Sequence, residues 1–324
     1  MMQMNTVSGG LPHIGLLRLA GADTASYLQG QLTNDTRRLG TGRAMLGALC
    51  SPQGRVAAML HLLPHSSGVV ALAPHDVLAS TAERLRKFVL RAKVSIEVLG
   101  GDHAVAGVHG LAALHAAGLA APEHVHGYLE CDGVGVAGAD RSGQRWWVIG
   151  PAALLAERGL AGDADAAPRI ERDWRLADIR AGMPQVYAAT REAFVPQMLN
   201  LDLIDGISFS KGCYTGQEIV ARTQHLGRIK RRMFHLRLPP GGWTIGQPLR
   251  LADGRSGRLT ELAAEGGAFE ALAVLNLDAA APEAESVPPL PESAGSAPVA
   301  AVAAVAAVEL SLPYPFGASA GVPA

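Results

Sequence analysis

Cysteine is scarce in this sequence, and what there is lies scattered. Cys50, Cys131 and Cys213 are odd in number and far apart, with no C-x-x-C and no Cys/His cluster. That excludes a disulfide framework and a self-contained zinc or four-Cys iron–sulfur site. No intrinsic metal is therefore expected, and a reducing compartment is the default. Charge imbalance is missing too: 28 basic residues meet 29 acidic ones, for a net charge of −1. No global field draws such a chain toward nucleic acid or membrane. Long apolar runs are also absent. The longest, Ala297 to Val308, falls short of the ~20 residues a membrane helix needs. Met1–Gly10 lacks the basic and apolar regions of a signal peptide. A soluble cytoplasmic protein without a membrane partner is the expectation.

What is present suffices for a sizeable core: 324 residues, 48% of them hydrophobic, which suggests two or three core-bearing units. Leu11–Leu19 reads as a strand, followed by a helix capped by Asp23 or Thr24 and ended by Gly30. Ala44–Cys50 and Arg55–Leu63 flank the turn cluster Ser51-Pro52-Gln53-Gly54, the pattern of a β-hairpin. Val69–Leu72 predicts a strand, and Pro74–Leu90 a helix with Val77, Leu78, Leu85, Phe88 and Val89 inward. Lys93–Val98 resumes strand character. Between residues 100 and 165 the pattern predicts strands at Tyr128–Cys131 and Arg145–Ile149 and a helix at Pro151–Arg158. The histidines there (His103, His109, His115, His124, His126) are too irregularly spaced to form a metal set. Arg169–Ala181 is a periodic helix, with Trp174 inward on spacing alone.

The stretch from Phe209 to Arg222 concentrates chemistry. Thr215 and Glu218 stand in the relation of a capping box, which predicts a helix from Thr215. Cys213 would then lie just outside a helix N-terminus and beside Lys211, two features that favour a thiolate. Taken singly, each residue also fits an ordinary loop with a small buried cysteine. Six cations follow between 222 and 237 (Arg222, Arg228, Lys230, Arg231, Arg232, Arg237) with no acid among them. They read equally as an anion site or as a solvated face on the exposed strand Met233–Leu238. RNA ranks below both, because interleaved aromatics are lacking. Gly-rich punctuation from Pro239 to Leu277 predicts a small β-barrel, Ala279–Val308 a low-complexity linker, and Val308–Tyr314 a returning strand.

Lys211-Gly-Cys-Tyr-Thr-Gly-Gln-Glu218 resembles the signature of the YgfZ family, folate-binding relatives of the glycine-cleavage aminomethyltransferase. Ala25–Asp35 (ASYLQGQLTND) resembles that family's N-terminal block and Ile179–Pro184 (IRAGMP) its central block. The likeness covers roughly residues 11 to 275, and Leu312-Pro313-Tyr314 matches the family's chain end. It implies an α+β, three-part cloverleaf fold around a central folate hole, with a small C-terminal β-barrel. The parts would be residues 1–100, 101–168, a return segment 169–238, and 239–278 with 308–316, joined by a linker at 279–307.

The resemblance further implies a tetrahydrofolate pocket lined by Trp174, Asn34, Asp35, Arg55, Arg180, Tyr214, Gln217, Glu218 and Arg222, a pterin stacking on the Trp174 indole. Cys213, with Lys211, would be a reactive thiol at its rim, ligating iron or sulfur or forming a mixed disulfide. The implied function is accessory: support of iron–sulfur enzyme assembly or repair, with assembly proteins or client enzymes as partners and no independent turnover. One alternative is a folate-dependent aminomethyltransferase. It is disfavoured because Ala58 and Met59 occupy the places of the transferase's paired acids, and no rotamer of either supplies a carboxylate. Arg180 stands where transferases, and often YgfZ-type proteins too, carry Glu before Ala-Gly, a reversal of charge at the implied pocket. The other alternative is an RNA-associated factor affecting tRNA modification, direct tRNA binding being less favoured than an indirect route through iron–sulfur enzymes.

Overall fold

A computed structural model describes residues 8–161, 165–225, 229–278 and 304–315. The chain falls into two compact units. The first takes residues 1–31, 35–47 and 60–174, and the second takes 32–34, 48–59 and 175–324.

The first unit is organised by antiparallel sheets. One has the order β1 (Ser8–Gly10), β7 (His103–His109), β10 (Arg145–Pro151), β9 (Val134–Gly138), β8 (Tyr128–Cys131). Another runs β3 (Met45–Cys50), β4 (Val56–His65), β5 (Gly68–Pro74), β2 (Ile14–Ala20), β6 (Ser95–Val98). The β3–β4 hairpin forms where the turn cluster predicts it, and its tip counts with the second unit. Short helices α1 (Thr24–Gln29), α3 (Leu111–Ala116) and α4 (Ala152–Glu157) accompany the strands. β7, β9 and α3 escape the sequence pattern, because small Ala and Gly residues give little contrast between inward and outward positions.

α2 (His75–Lys87) buries Val77, Leu78, Thr81, Ala82 and Leu85, the stripe that a 3.6-residue period produces. It stops three residues short of the expected Leu90, and Phe88, expected inside, is 46% exposed. α5 (Ala167–Ala181) carries the chain from the first unit into the second, the boundary following Trp174. Its first half contributes Ile170 and Trp174 to a core of Leu11, Ile14, Leu72, Val105 and Trp147.

In the second unit six strands form one sheet, ordered β15 (Ala304–Val305), β12 (Pro248–Leu251), β13 (Ser256–Glu265), β14 (Ala268–Asn276), β11 (Arg231–Leu238), β16 (Val308–Leu310). The order is open, so the expected small barrel is realised as a half-barrel sheet. Two strand expectations change. Met233–Leu238 is no exposed strand: it is inner and almost wholly buried, paired with β14 and β16. Ala304–Val305, placed by composition in the linker, pairs in parallel with β12. Residues 279–303 of that linker lie outside the described residues. The helix expected from Thr215 is α6 (Gln217–His225), two residues later. Thr215 and Gly216 form a turn instead, Gly216 at φ +82°.

Candidate functional site

In the second unit, the hairpin tip and the Lys211–Arg222 segment lock together. Gly216 makes this contact feasible. A Cβ there would sit 2.4 Å from the Ser51 carbonyl oxygen and 2.9 Å from the Gly54 Cα, at a left-handed φ. Gly216→Ala is therefore expected to destabilise the unit by more than ~1 kcal/mol, through clash and strained backbone together. Thermal denaturation measures the loss, and faster iodoacetamide labelling of Cys50, which is buried at the foot of the tip, localises it.

Polar groups complete the lock. Thr33 Oγ1 donates to the Gly206 carbonyl at 2.7 Å and accepts from the Ala48 amide at 2.9 Å. Asn34 Nδ2 donates to the Asp205 carbonyl at 2.5 Å. Arg55 donates to the Ala193 carbonyl at 3.0 Å. Lys211 is buried: its ammonium donates to the Leu32 carbonyl at 2.5 Å and lies 4.9 Å from the centre of the Tyr214 ring. Its charge is thus engaged in the interior. Tyr214 is buried, and burial, then the nearby Cys50, pushes its hydroxyl pKa well above the ordinary value. Cys213 is exposed, as are Glu218 and Arg222, while Gln217 is half-buried. The thiol sits four residues before the first residue of α6, further from the helix end than a capping-box start implies.

The first unit holds two more of the expected residues, Asp35 and Trp174. Asp35, next to Asn34 in sequence, counts with this unit and is bound by the Arg37 guanidinium, which holds its carboxyl far below the usual carboxylate range. Trp174 is 3% exposed, its ring 4.6 Å from that of Trp147 at an interplanar angle of 53°. The Arg145 guanidinium lies 4.1 Å from the Trp174 ring centre. Gly107 admits the indole, for a Cβ there would be 2.3 Å from it. With these neighbours on the ring, a pterin stacked flat upon Trp174 does not fit.

The nitrogens at the edges of these rings are equally enclosed. Trp174 Nε1, Trp147 Nε1 and His61 Nε2 are buried and have no hydrogen-bond partner. His61 packs on Trp147, centroids 5.5 Å apart. Burial, and secondarily the Arg145 cation, push its pKa down to about 4, so the imidazole is neutral. Arg145 is paired with Asp140 at 2.8 Å, both side chains 3% exposed. Buried donors without acceptors are uncommon, because each forfeits its hydration. Sequence reading misses this cluster, although the run Arg145-Trp146-Trp147 was its available signal.

Arg180 turns to the half-barrel sheet, its guanidinium bonded to Glu270 at 2.6 and 3.0 Å and to Glu265 at 3.0 Å. His235 reaches Glu270 at 3.0 Å. Beside this lies a second network that sequence reading misses. Fully buried Glu261 accepts from Arg175 at 3.0 Å and from the Tyr187 hydroxyl at 2.5 Å. The cations expected as a patch are partly consumed. Arg232 is buried against Asp202, and Arg231 donates to Asn276, while Arg228 lies outside the described residues. Ala58 and Met59 are fully buried. Among the described residues no group of three or more His, Cys, Asp or Glu can hold a metal, and no helix is long and apolar enough to cross a membrane.

No protein-family model matches the chain. Among curated proteins it is 33% identical over 284 residues to the tRNA-modifying protein YgfZ of Yersinia pestis, covering 82% of this chain and 83% of that one. The chain belongs to the YgfZ family. A second YgfZ, from Colwellia psychrerythraea, is 32% identical over 229 residues, 70% of each chain. Among solved structures, glycine cleavage system aminomethyltransferase T from Bartonella henselae superposes with a TM-score of 0.56 at 15% identity, covering 85% of this chain and 80% of that one. At that identity the likeness establishes the fold, which this YgfZ-family chain shares with the transferase.

Proposed function

We propose that this protein binds tetrahydrofolate or a derivative and supports iron–sulfur enzymes that modify tRNA, acting in the cytoplasm without turnover of its own. Two relatives carry the name tRNA-modifying protein, which motivates the tRNA side. The observation that carries the folate side is the set of orphaned buried nitrogens on Trp147, Trp174 and His61. A reduced pterin presents ring nitrogens and a carbonyl that accept hydrogen bonds, and a bound folate supplies a one-carbon carrier. These nitrogens are enclosed, so a folate would reach them only if the side chains around them part. Trp147 and Trp174 would then donate their indole N–H groups to it, and neutral His61 would donate or accept according to tautomer. Arg145, fixed by Asp140, keeps positive charge beside them. This replaces stacking on Trp174 with edge recognition.

Transferase chemistry is disfavoured, because the positions corresponding to its paired acids hold Ala58 and Met59. The exposed Cys213, on a loop pinned through Lys211 and Gly216, would instead present a thiol to an iron–sulfur assembly protein or client. In this reading Asn34, Arg55, Tyr214 and Gln217 shape the platform below that thiol.

Equilibrium dialysis with tetrahydrofolate, together with tryptophan fluorescence, tests the folate site. Saturable binding with quenching is expected for the wild type. Trp147→Phe, which keeps the ring and removes the N–H, should bind about 5–150-fold more weakly, the equivalent of ~1–3 kcal/mol for an unsatisfied buried partner. Absence of saturable binding by the wild type would refute the folate reading.

A further inference from the structure

The C-terminal end of α2 (His75–Lys87) carries charge and apolar surface for which the proposed function has no use. From residue 83 the chain reads Glu-Arg-Leu-Arg-Lys-Phe-Val-Leu-Arg-Ala-Lys: five cations against the single acid Glu83, in a protein of net charge −1. The turn after the helix is firmly held. Leu85 is buried, and its carbonyl accepts from the Tyr27 hydroxyl at 2.6 Å. The Arg86 guanidinium donates to the Ile96 carbonyl at 2.9 and 3.1 Å. Ala92 N–H closes the turn on the Val89 carbonyl at 2.8 Å.

On this rigid base Phe88 is 46% exposed and Leu90 88% exposed, the most exposed large hydrophobic among the described residues. Leu90 adopts φ +46°, a left-handed conformation unfavourable for a residue with a side chain. Burial of the leucine does not offset that cost. Lys87, Arg91 and Lys93, all within five residues of Phe88 along the turn, are exposed, and Lys87 forms a surface pair with Glu83 at 2.8 Å. Exposed pairs of this kind contribute little and exchange readily for a phosphate.

We propose that the Lys87–Lys93 turn is an RNA-contact surface. Phe88 offers a face on which an unpaired base stacks, and Lys87, Arg91 and Lys93 meet the phosphates on either side of it. An exposed aromatic with cations on both sides of it along one turn is the composition of a single-strand binding surface. A lipid surface is less well matched, since the apolar face of α2 is already buried in its own unit and only two side chains remain for insertion. An acidic protein is less well matched too, because protein interfaces deplete lysine and other charges around their apolar centre. By contrast Arg222–Arg237, the basic stretch most visible in the sequence, spends Arg231 and Arg232 on internal partners. The proposal takes the tRNA side of the proposed function as its starting point.

The test is fluorescence anisotropy of the full chain with labelled bulk tRNA across a salt series. Wild type should bind with an affinity that falls steeply as salt rises. Arg91→Ala/Lys93→Ala should reduce the salt slope by about 1–2, at roughly 0.7–0.9 for each phosphate no longer neutralised. Phe88→Ala should weaken binding about 5–150-fold, the equivalent of ~1–3 kcal/mol for one stacked base. All three residues are exposed, so the variants should match the wild-type melting temperature. Unchanged tRNA binding by both variants overturns the proposal. So does a wild type that binds phosphatidylserine vesicles but no tRNA. In cells lacking the endogenous relative, a triple variant that restores tRNA modification as fully as wild type also overturns the surface, while leaving the function intact. Failure of the wild type to restore tRNA modification, with tRNA binding still dependent on the turn, removes the functional reading and leaves the surface standing.

Discussion

Replacing Asp140 with alanine is expected to destabilise the first unit by about 3–5 kcal/mol, the range for removing one partner of a buried ion pair. Asp140 Oδ2 accepts from Arg145 at 2.8 Å and Oδ1 accepts from the Ser142 amide at 2.7 Å, both charged side chains being almost fully enclosed. Without the carboxylate, a guanidinium that cannot lose its proton remains in the core beside Trp174 and His61. Its hydrogen bond to the Trp174 carbonyl, at 3.4 Å, is long and brings no opposite charge. Adding Arg145→Met to Asp140→Ala should recover much of the loss, because the pair's desolvation offsets most of its attraction. Urea titration of wild type, single and double variants measures this. A single variant within ~1 kcal/mol of wild type would show the Arg145 charge to be hydrated.

Glu261 should make stability depend on pH. Burial, the dominant cause, raises its pKa to about 7, against the lowering effects of Arg175 and the Tyr187 hydroxyl. An acid whose folded pKa lies above its unfolded value binds its proton more tightly when folded. Its ionisation therefore penalises folding fully above pH 7 and not at all below about pH 4.5. The span corresponds to roughly 3 kcal/mol. His61 works in the opposite direction over nearly the same range, since its folded pKa near 4 penalises folding as pH falls from 6.5. Wild-type stability alone would conceal both effects. The informative quantity is the difference between Glu261→Gln and wild type. It should move by about 3 kcal/mol in the variant's favour between pH 4.5 and 8, whatever its starting offset. A difference flat with pH would mean that Glu261 stays ionised throughout.

Both predictions concern groups that sequence reading passes over, whereas it locates the Lys211–Glu218 loop at once. That loop is legible because its glycines, cysteine and tyrosine occur together in eight residues, and a short dense motif keeps its identity whatever surrounds it. Phe88 shows the opposite case. Extending the apolar stripe of α2 places it inward, but α2 ends at Lys87 and the chain turns, so periodicity no longer says which way a side chain points. Met233–Leu238 alternates as an exposed strand would, yet it is sandwiched between β14 and β16, and Arg232 finds Asp202 from another part of the unit. Trp174 is read correctly as inward. Which of its surfaces is left unmatched depends on Trp147 and Arg145, which arrive from β10.

The sequence by itself determined the hairpin, the helices of clear apolar period, the wide separation of its three cysteines, and the kinship carried by three short blocks. These follow from spacing along the chain, which needs no knowledge of what lies opposite. Only the tertiary structure decided that Lys211 faces inward, that Asp140 and Glu261 are enclosed, that two indole N–H groups lack acceptors, and that Phe88 and Leu90 face solvent. Each of those depends on desolvation by residues distant in sequence, and burial is a property of the packed chain.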